Sequence, residues 1–479
     1  MILQRSSAQT AAAVLLARSA QAASRLLGRG AGTALPGLIA QRIATDIILR
    51  LATQIPQGAV LVSATNGKTT TTRALATIMD EAGLQPIYNA TGSNLLRGIA
   101  TTLVEQANPL GRLAVTPKTI GLFEVDEATL PQAVAQIRPR AVVLGNLARD
   151  QLDRYGELDA VTARWREALN RLPEDALVVL NADDPAVASL APGLERRVVT
   201  FGLEDDRWGR ADLEHAADAK FCLRCGTKLT YRLAYYGHFG DYRCAGCGWE
   251  RPRPQVVGSE VTLDGLAGLR MTITAPQGTL AVEVALPGLY NAYNILAAAA
   301  AALALGLPPE AVRRGAGRLT AAFGRAERLG IQGRQVYLLL AKNPVGLNAL
   351  LRTLLSAPRP LHLLFILNDE IADGQDISWI WDADFEVLAG QAGAVVAAGK
   401  RAEDMALRLK YAGVGDVEGE EGNHARLLIQ RDLPTALDLA VQRVPPGDTL
   451  YVLPTYTAML EIRTLLTRLG YLAPYWKRG

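Results

Sequence analysis

A chain of 479 residues, 49% hydrophobic and 20% charged, has apolar mass for about two to four packed domains, which excludes disorder as a whole-chain reading. Basic and acidic residues nearly cancel, 50 against 47, and no basic cluster stands out, so no nucleic-acid partner is expected. Only eight of the basic residues are lysines, which draws notice to each lysine in a loop.

Residues 1–55 read as a helical segment that packs on the domain after it. A basic amphipathic helix comes first, then a break at 32–36, then a helix over 38–52. Arg5, the apolar run 11–17 and the small residues Ala20, Ala22 and Ala23 imitate a secretion signal. Arg18 cuts that run at once, so a retained helix is expected. Peripheral contact of this helix with a membrane surface is the alternative to packing. No run approaches the ~20 apolar residues of a spanning helix; the longest, 295–307, is short and alanine-rich. From 58 the pattern alternates: strand 59–63, helix 69–82, strands 85–88 and 119–125, a helix from 131, strand 141–144, helix 161–170, strand 177–181. This rhythm predicts a mainly parallel α/β sheet covered by helices. The rhythm stops near Asp205, with a cysteine-bearing insert at about 215–252. β-ribbons are then expected at 260–262, 270–273 and 279–285, and a long helix from Asn291. A linker is expected at 329–333. Beyond it lies a second, smaller α/β unit with strands 336–340, 362–367, 394–397 and 449–452. The domains so drawn are 1–55, 56–330 and 331–479.

The four cysteines, Cys222, Cys225, Cys244 and Cys247, form C-x2-C twice, 18 residues apart. That spacing suits a zinc ribbon, in which four thiolates close one tetrahedral zinc and leave no open position. A structural Zn²⁺ is expected, and no cysteine is left over as a nucleophile. The four histidines show no ligand spacing.

The segment from Val60 to Thr70, with Thr65-Asn66-Gly67-Lys68-Thr69 at its centre, runs strand, turn, helix. Backbone N–H groups at such a helix start cradle phosphates, a lysine neutralises the terminal ones, and the next hydroxyl reaches Mg²⁺. Val62 stands where the general pattern has its first glycine. Glu124-Val125-Asp126-Glu127 ends a strand at the carboxyl edge of the sheet, where one of these carboxylates suits Mg²⁺.

Further motifs follow in order: Asn146 with 150–156, Asn181-Ala182-Asp183-Asp184-Pro185, Pro287-Gly288 with Asn291 and Asn294, and Gly324-Arg325-Ala326-Glu327. With the loop and Glu124, these six elements resemble the Mur ligase superfamily. The resemblance implies an α/β fold with a Mur ligase-type central P-loop domain and a Rossmann-like C-terminal domain. It also implies ATP and Mg²⁺ as cofactors. Thr65, Asn66, Gly67, Lys68, Thr69 and Thr70 would hold ATP, with Asn291 and Asn294 at the adenine and Arg325 at the phosphates. Thr69 and Glu124 would hold Mg²⁺. Several departures narrow the branch. Gln151, Tyr155 and Tyr290 replace histidines, Ala341-Lys342-Asn343-Pro344 replaces the usual opening of the last domain, and no carbamylated lysine is identified.

With the insert, and with Ala372-Asp373-Gly374 and Asp376-Ile377-Ser378-Trp379-Ile380-Trp381-Asp382, the chain resembles the MurT branch. These are synthetase subunits of lipid II isoglutaminyl synthases. What this implies is amidation of the α-carboxylate of D-glutamate in the lipid II stem peptide, through an acyl phosphate. The chain would then be cytoplasmic, with work at the inner face of the plasma membrane as an open alternative. Ammonia would come from a separate GatD-type glutaminase in a heterodimer. Asp376 would reach into that partner's site, with Asp373 and Asp382 as rivals. Trp379 and Trp381 alternate as in a strand, and one of them is expected at the partner interface. Lys342 is expected to meet phosphate or substrate carboxylate at the domain junction. The competing readings are a Mur-type ligase that adds an amino acid and a non-catalytic ATP-binding scaffold.

Overall fold

In the computed structural model, residues 2–26, 34–89, 93–149, 158–214, 217–319, 325–415 and 427–472 are described. Before residue 285 the strands are β1 (Ala59–Ser63), β2 (Gln85–Tyr88), β3 (Thr119–Glu124), β4 (Ala141–Leu144), β5 (Leu177–Asn181) and β6 (Arg197–Leu203), then β7 (Leu229–Tyr236), β8 (Phe239–Cys244), β9 (Val256–Asp264), β10 (Gly268–Ala275) and β11 (Gly278–Val284). Nine of them form one sheet in the order β11-β10-β9-β6-β5-β4-β1-β3-β2, while β7 and β8 pair with each other. Neighbours from β2 to β9 run parallel, and β9-β10-β11 is an antiparallel meander.

β1, β3, β4 and β5 are buried along their whole length, as strands of a parallel sheet covered on both faces must be. Side chains alternate between the two faces. Val60 and Val62 pack with the helices Lys68–Glu81, Leu289–Ala304 and Pro309–Gly317. Ala59 and Leu61 face the helices Leu96–Gln106, Leu130–Ile137 and Leu158–Asn170. The N-terminal helices join that second face through Ala13, Val14, Ala17, Ile47, Ile48 and Leu51. Leu15 and Leu16 stay exposed on the opposite side of Ile2–Leu26. Among the described residues, no helix is long and apolar enough to cross a membrane.

The second sheet contains β12 (Arg325–Ile331), β13 (Arg334–Leu339), β14 (Leu361–Ile366), β15 (Ala392–Ala398), β16 (Leu427–Gln430) and β17 (Thr449–Pro454). Its order is β12-β13-β17-β14-β15-β16, parallel except for the β12–β13 hairpin. The linker expected at 329–333 is therefore a hairpin. Gln332 and Gly333 take φ values of +48° and +76°, the two-residue turn that suits the twist of paired strands. Residues 325–330 consequently join the second sheet, not the first. Trp379 and Trp381 are also not on a strand. Ser378–Asp382 is a 3-10 turn, in which Trp379 leans on the domain core and Trp381 is 49% exposed.

Candidate active site

The turn after β1 is shaped by three asparagines. Asn66 donates its N–H to Asn146 Oδ1 (2.8 Å), and Asn146 Nδ2 donates back to Asn66 O (2.8 Å). Gly67 has φ +86° and caps the helix Lys68–Glu81. A Cβ at Gly67 would lie 1.9 Å from Asn294 Oδ1, so only glycine fits both the backbone and the contact. Asn294 in turn is tied to Asn291 (3.0 Å), which donates to Pro287 O (2.8 Å). Asn294, one of the two asparagines expected at a base, thus also packs against the loop.

Lys68 is buried. Its Nζ donates to Glu127 Oε2 (2.8 Å) and to the loop carbonyls of Ala64 and Thr65. Burial alone would depress the ammonium pKa. The carboxylates of Glu127, Asp126 and Glu124 outweigh it and hold the group above the ordinary lysine value. Burial would raise the Glu127 carboxyl, but Lys68 and Lys342 hold it below the usual carboxylate range. Glu124 is buried at the end of β3, its backbone clasped on both sides by Asn89 at 2.9 Å. Two carboxylates and an ammonium packed together in this way suit a cation and phosphates better than an apolar ligand.

A pocket opens in front of the loop, between the two sheets. Asn66, Gly67 and Thr70 line one part, Asn291 and Asn294 another, and Leu339, Leu340 and Lys342 the side of the C-terminal domain. Lys342 Nζ reaches Thr65 O (3.3 Å). Asn343 caps the helix Pro344–Leu354 through Gly346 N–H (2.8 Å), and its amide pairs with that of Asn66 (3.0 and 3.3 Å). Thr65 is buried beneath, bonded to Ala148 N–H (3.0 Å), and Thr69 is half-buried in the first helical turn. Arg325 begins β12; its side chain lies outside the described residues, as do 150–156 and Gly324. Asn343 was legible as a helix start, since Asn before Pro marks the cap and first position. Glu127 carried no signal to separate it from the carboxylates beside it.

Asp376 is not part of this pocket. It sits exposed in the loop before Ser378–Asp382 and accepts from Ser378 N–H (2.8 Å), which lowers its pKa. Its two rivals are engaged otherwise. Asp373 is buried, bonded to Thr457 N–H (2.8 Å), and Asp382 lies 3.7 Å from Arg149.

The four cysteine sulfurs converge, all within 4.8 Å of one another. Cys222 and Cys247 are 3.7 Å apart, and Cys225 and Cys244 are 3.4 Å apart. Ligands at ~2.3 Å on a tetrahedral zinc stand about 3.8 Å from each other, so the residues fit that ion. The ribbon is bound to the central domain by Asp183, which accepts from Arg251 Nε (2.7 Å), Tyr293 Oη (2.7 Å) and Leu203 N–H (2.8 Å). Burial raises the Asp183 pKa although Arg251 opposes it.

This architecture has known counterparts. The Mur ligase middle domain family matches residues 62–240, and the MurT ligase C-terminal family matches residues 340–459. The lipid II isoglutaminyl synthase (glutamine-hydrolyzing) subunit MurT of Streptococcus pneumoniae is 33% identical over 467 residues, covering 96% of this chain and 97% of that protein. The same subunit of Staphylococcus aureus (strain COL) is 32% identical over 459 residues, covering 95% and 97%. The chain belongs to the MurT family. The MurT likeness thus reaches both domains and makes the chain a ligase of the Mur type. A pseudomurein peptide ligase type C from Methanothermus fervidus shares the fold, with a TM-score of 0.64 at 20% identity over 86% of this chain and 79% of that one.

Proposed function

We propose that this chain amidates the α-carboxylate of D-glutamate in the lipid II stem peptide to D-isoglutamine, using ATP and ammonia released from glutamine by a GatD-type subunit. The reading is carried by the likeness to proteins named lipid II isoglutaminyl synthase subunit MurT along 96% of the chain, C-terminal domain included. The chemistry needs an activated carboxylate. A carboxylate oxygen attacks the γ-phosphorus, the bond to the β-phosphate oxygen breaks, and ADP leaves. Ammonia then attacks the acyl carbon, a C–N bond forms, and inorganic phosphate departs with the bonding pair while nitrogen loses a proton. Such transfers depend on positioning and on positive charge around the phosphoryl group.

In this chain the loop N–H groups of 65–70 cradle phosphate, with Asn291 and Asn294 toward the base. Lys68 turns from Glu127 to the phosphates, and Arg325 and Lys342 add charge. Thr69 and Glu124 hold Mg²⁺, which when bound neutralises phosphate charge. Asp376, exposed and without an ion-pair partner among the described residues, orients a group in the glutaminase site. The Cys222, Cys225, Cys244 and Cys247 cluster holds zinc as a structural staple. The reaction runs at the cytoplasmic face of the membrane that carries lipid II.

The test combines the purified chain, a GatD-type glutaminase, Mg-ATP, glutamine and lipid II. Mass spectrometry reads replacement of a carboxyl OH by NH₂, with ADP formed in step. Conversion should vanish in Lys68→Ala. In Asp376→Asn it should vanish with glutamine but survive with free ammonia. An amino acid consumed in place of ammonia would replace this reading with an amino-acid ligase. Absence of conversion from either nitrogen source would leave the scaffold.

A further inference from the structure

The four-cysteine insert has two ends. The cysteines clamp the open end of the β7–β8 hairpin, near Leu229 and Cys244. The closed end is Tyr236-Gly237-His238-Phe239, about 17 Å away along β8 at ~3.3 Å per residue. Tyr236 and Phe239 at that closed end line the same pocket as Asn66 and Gly67.

The tip is held in place from both domains. Gly237 has φ +57° and donates its N–H to Glu214 Oε1 (2.9 Å), and Glu214 pairs with Arg352 of the C-terminal domain. Gly240 N–H donates to Asp183 O (2.9 Å) in the central domain. Tyr236 meets Phe239 edge-on at 5.1 Å, and Phe239 meets Tyr293 at 5.3 Å. Tyr290, which stands where the superfamily motif has histidine, completes an aromatic part of the pocket wall. The pocket thus combines two chemistries, the phosphate-loop turn at Asn66 and Gly67 and a set of aromatic rings, Tyr236, Phe239, Tyr290 and Tyr293. A phosphate ester of a flat heteroaromatic ring matches both parts, because every base has a π face that aromatic side chains accept.

We infer that the closed end of the ribbon hairpin, Tyr236 foremost, is the base-recognising wall of the nucleotide pocket. The inference rests on the reading of this pocket as an ATP site. The insert then contributes to ligand affinity as well as to folding.

Calorimetry on the full, zinc-loaded chain separates the two ends of the ligand by comparing Mg-ATP with Mg-tripolyphosphate, which has no base. Tyr236 is buried, so Tyr236→Leu keeps bulk without a ring, and Tyr236→Phe keeps the ring without the hydroxyl. Tyr236→Leu should weaken ATP about tenfold and leave tripolyphosphate unchanged, the size of one lost base–aromatic contact. Tyr236→Phe should bind ATP as the wild type does. Unchanged ATP binding in Tyr236→Leu would overturn the inference, as would an equal fall for both ligands. A wild-type chain that binds tripolyphosphate as tightly as ATP would overturn it while sparing the phosphate loop. One that binds neither would overturn the nucleotide site itself.

Discussion

Lys68 and Glu127 form a buried ion pair at the strand-to-helix turn proposed to receive phosphate. Removing one partner leaves the other charged and desolvated, so Lys68→Met is expected to lower unfolding free energy by about 3 kcal/mol in urea titration. Adding Glu127→Gln should restore most of that stability while ATP turnover stays abolished. The pH dependence has a definite sign. The Glu127 carboxyl titrates below its usual 4.5 in the folded chain, so its contribution is complete above that pH and is lost as pH falls through the lower folded value. The stability gap between the wild type and Glu127→Gln should therefore narrow only below about pH 4.5. A gap that narrows at neutral pH would contradict the pairing. Lys68 was legible because a lysine after Asn-Gly at a strand-to-helix turn has a known use. Glu127 was not, since three carboxylates within four positions look alike until the fold turns one toward the ammonium.

At the scale of elements, the ribbon is a small hairpin with few apolar contacts of its own. At its cysteine end only Leu229, Tyr242, Trp249 and Ala188 pack around Cys222 and Cys244, while Tyr235, Tyr236 and Phe239 at the other end join the core of the central domain. Such a unit depends on its metal, and structural zinc sites contribute folding energy directly. Chelation at neutral pH, or Cys244→Ser, should therefore give an earlier unfolding transition in calorimetry, with native mass spectrometry showing loss of one zinc per chain. An unchanged thermogram after zinc loss would remove the staple role. The ribbon was readable from cysteine spacing, and β1, β4 and β5 from continuous apolar runs with clear flanks. The β12–β13 hairpin was not, because Gln332-Gly333 reads as readily as a linker as it does a turn. Trp379 and Trp381 misled for a similar reason. Alternation over three residues fits a strand, but Ile380 is the residue that the 3-10 turn buries.

The whole molecule closes through a few polar contacts that cross between domains. Arg149 pairs with Asp218 of the insert and lies 3.7 Å from Asp382, in the loop that also carries Asp376. Beside it, Ala148 N–H bonds to Thr65 of the phosphate loop. No spacing in the sequence could show this convergence, since the residues come from four separate segments. The pair Asn66–Asn343 spans the same gap over 277 positions. Asn343 has two roles there, capping Pro344–Leu354 and gripping the loop, and substitution can separate them. Asn343→Ala loses both, and should cost about 1 kcal/mol of stability as a lost cap does while also weakening ATP binding. Asn343→Asp keeps an acceptor suited to the helix start but loses the amide donor and places a negative charge beside Asn66, where phosphate is expected. It should unfold like the wild type yet bind Mg-ATP more weakly, the weakening growing smaller as salt screens the new charge. Wild-type affinity in Asn343→Asp, measured by the same calorimetric titration, would mean that the C-terminal domain closes over the pocket without touching the nucleotide's charged end.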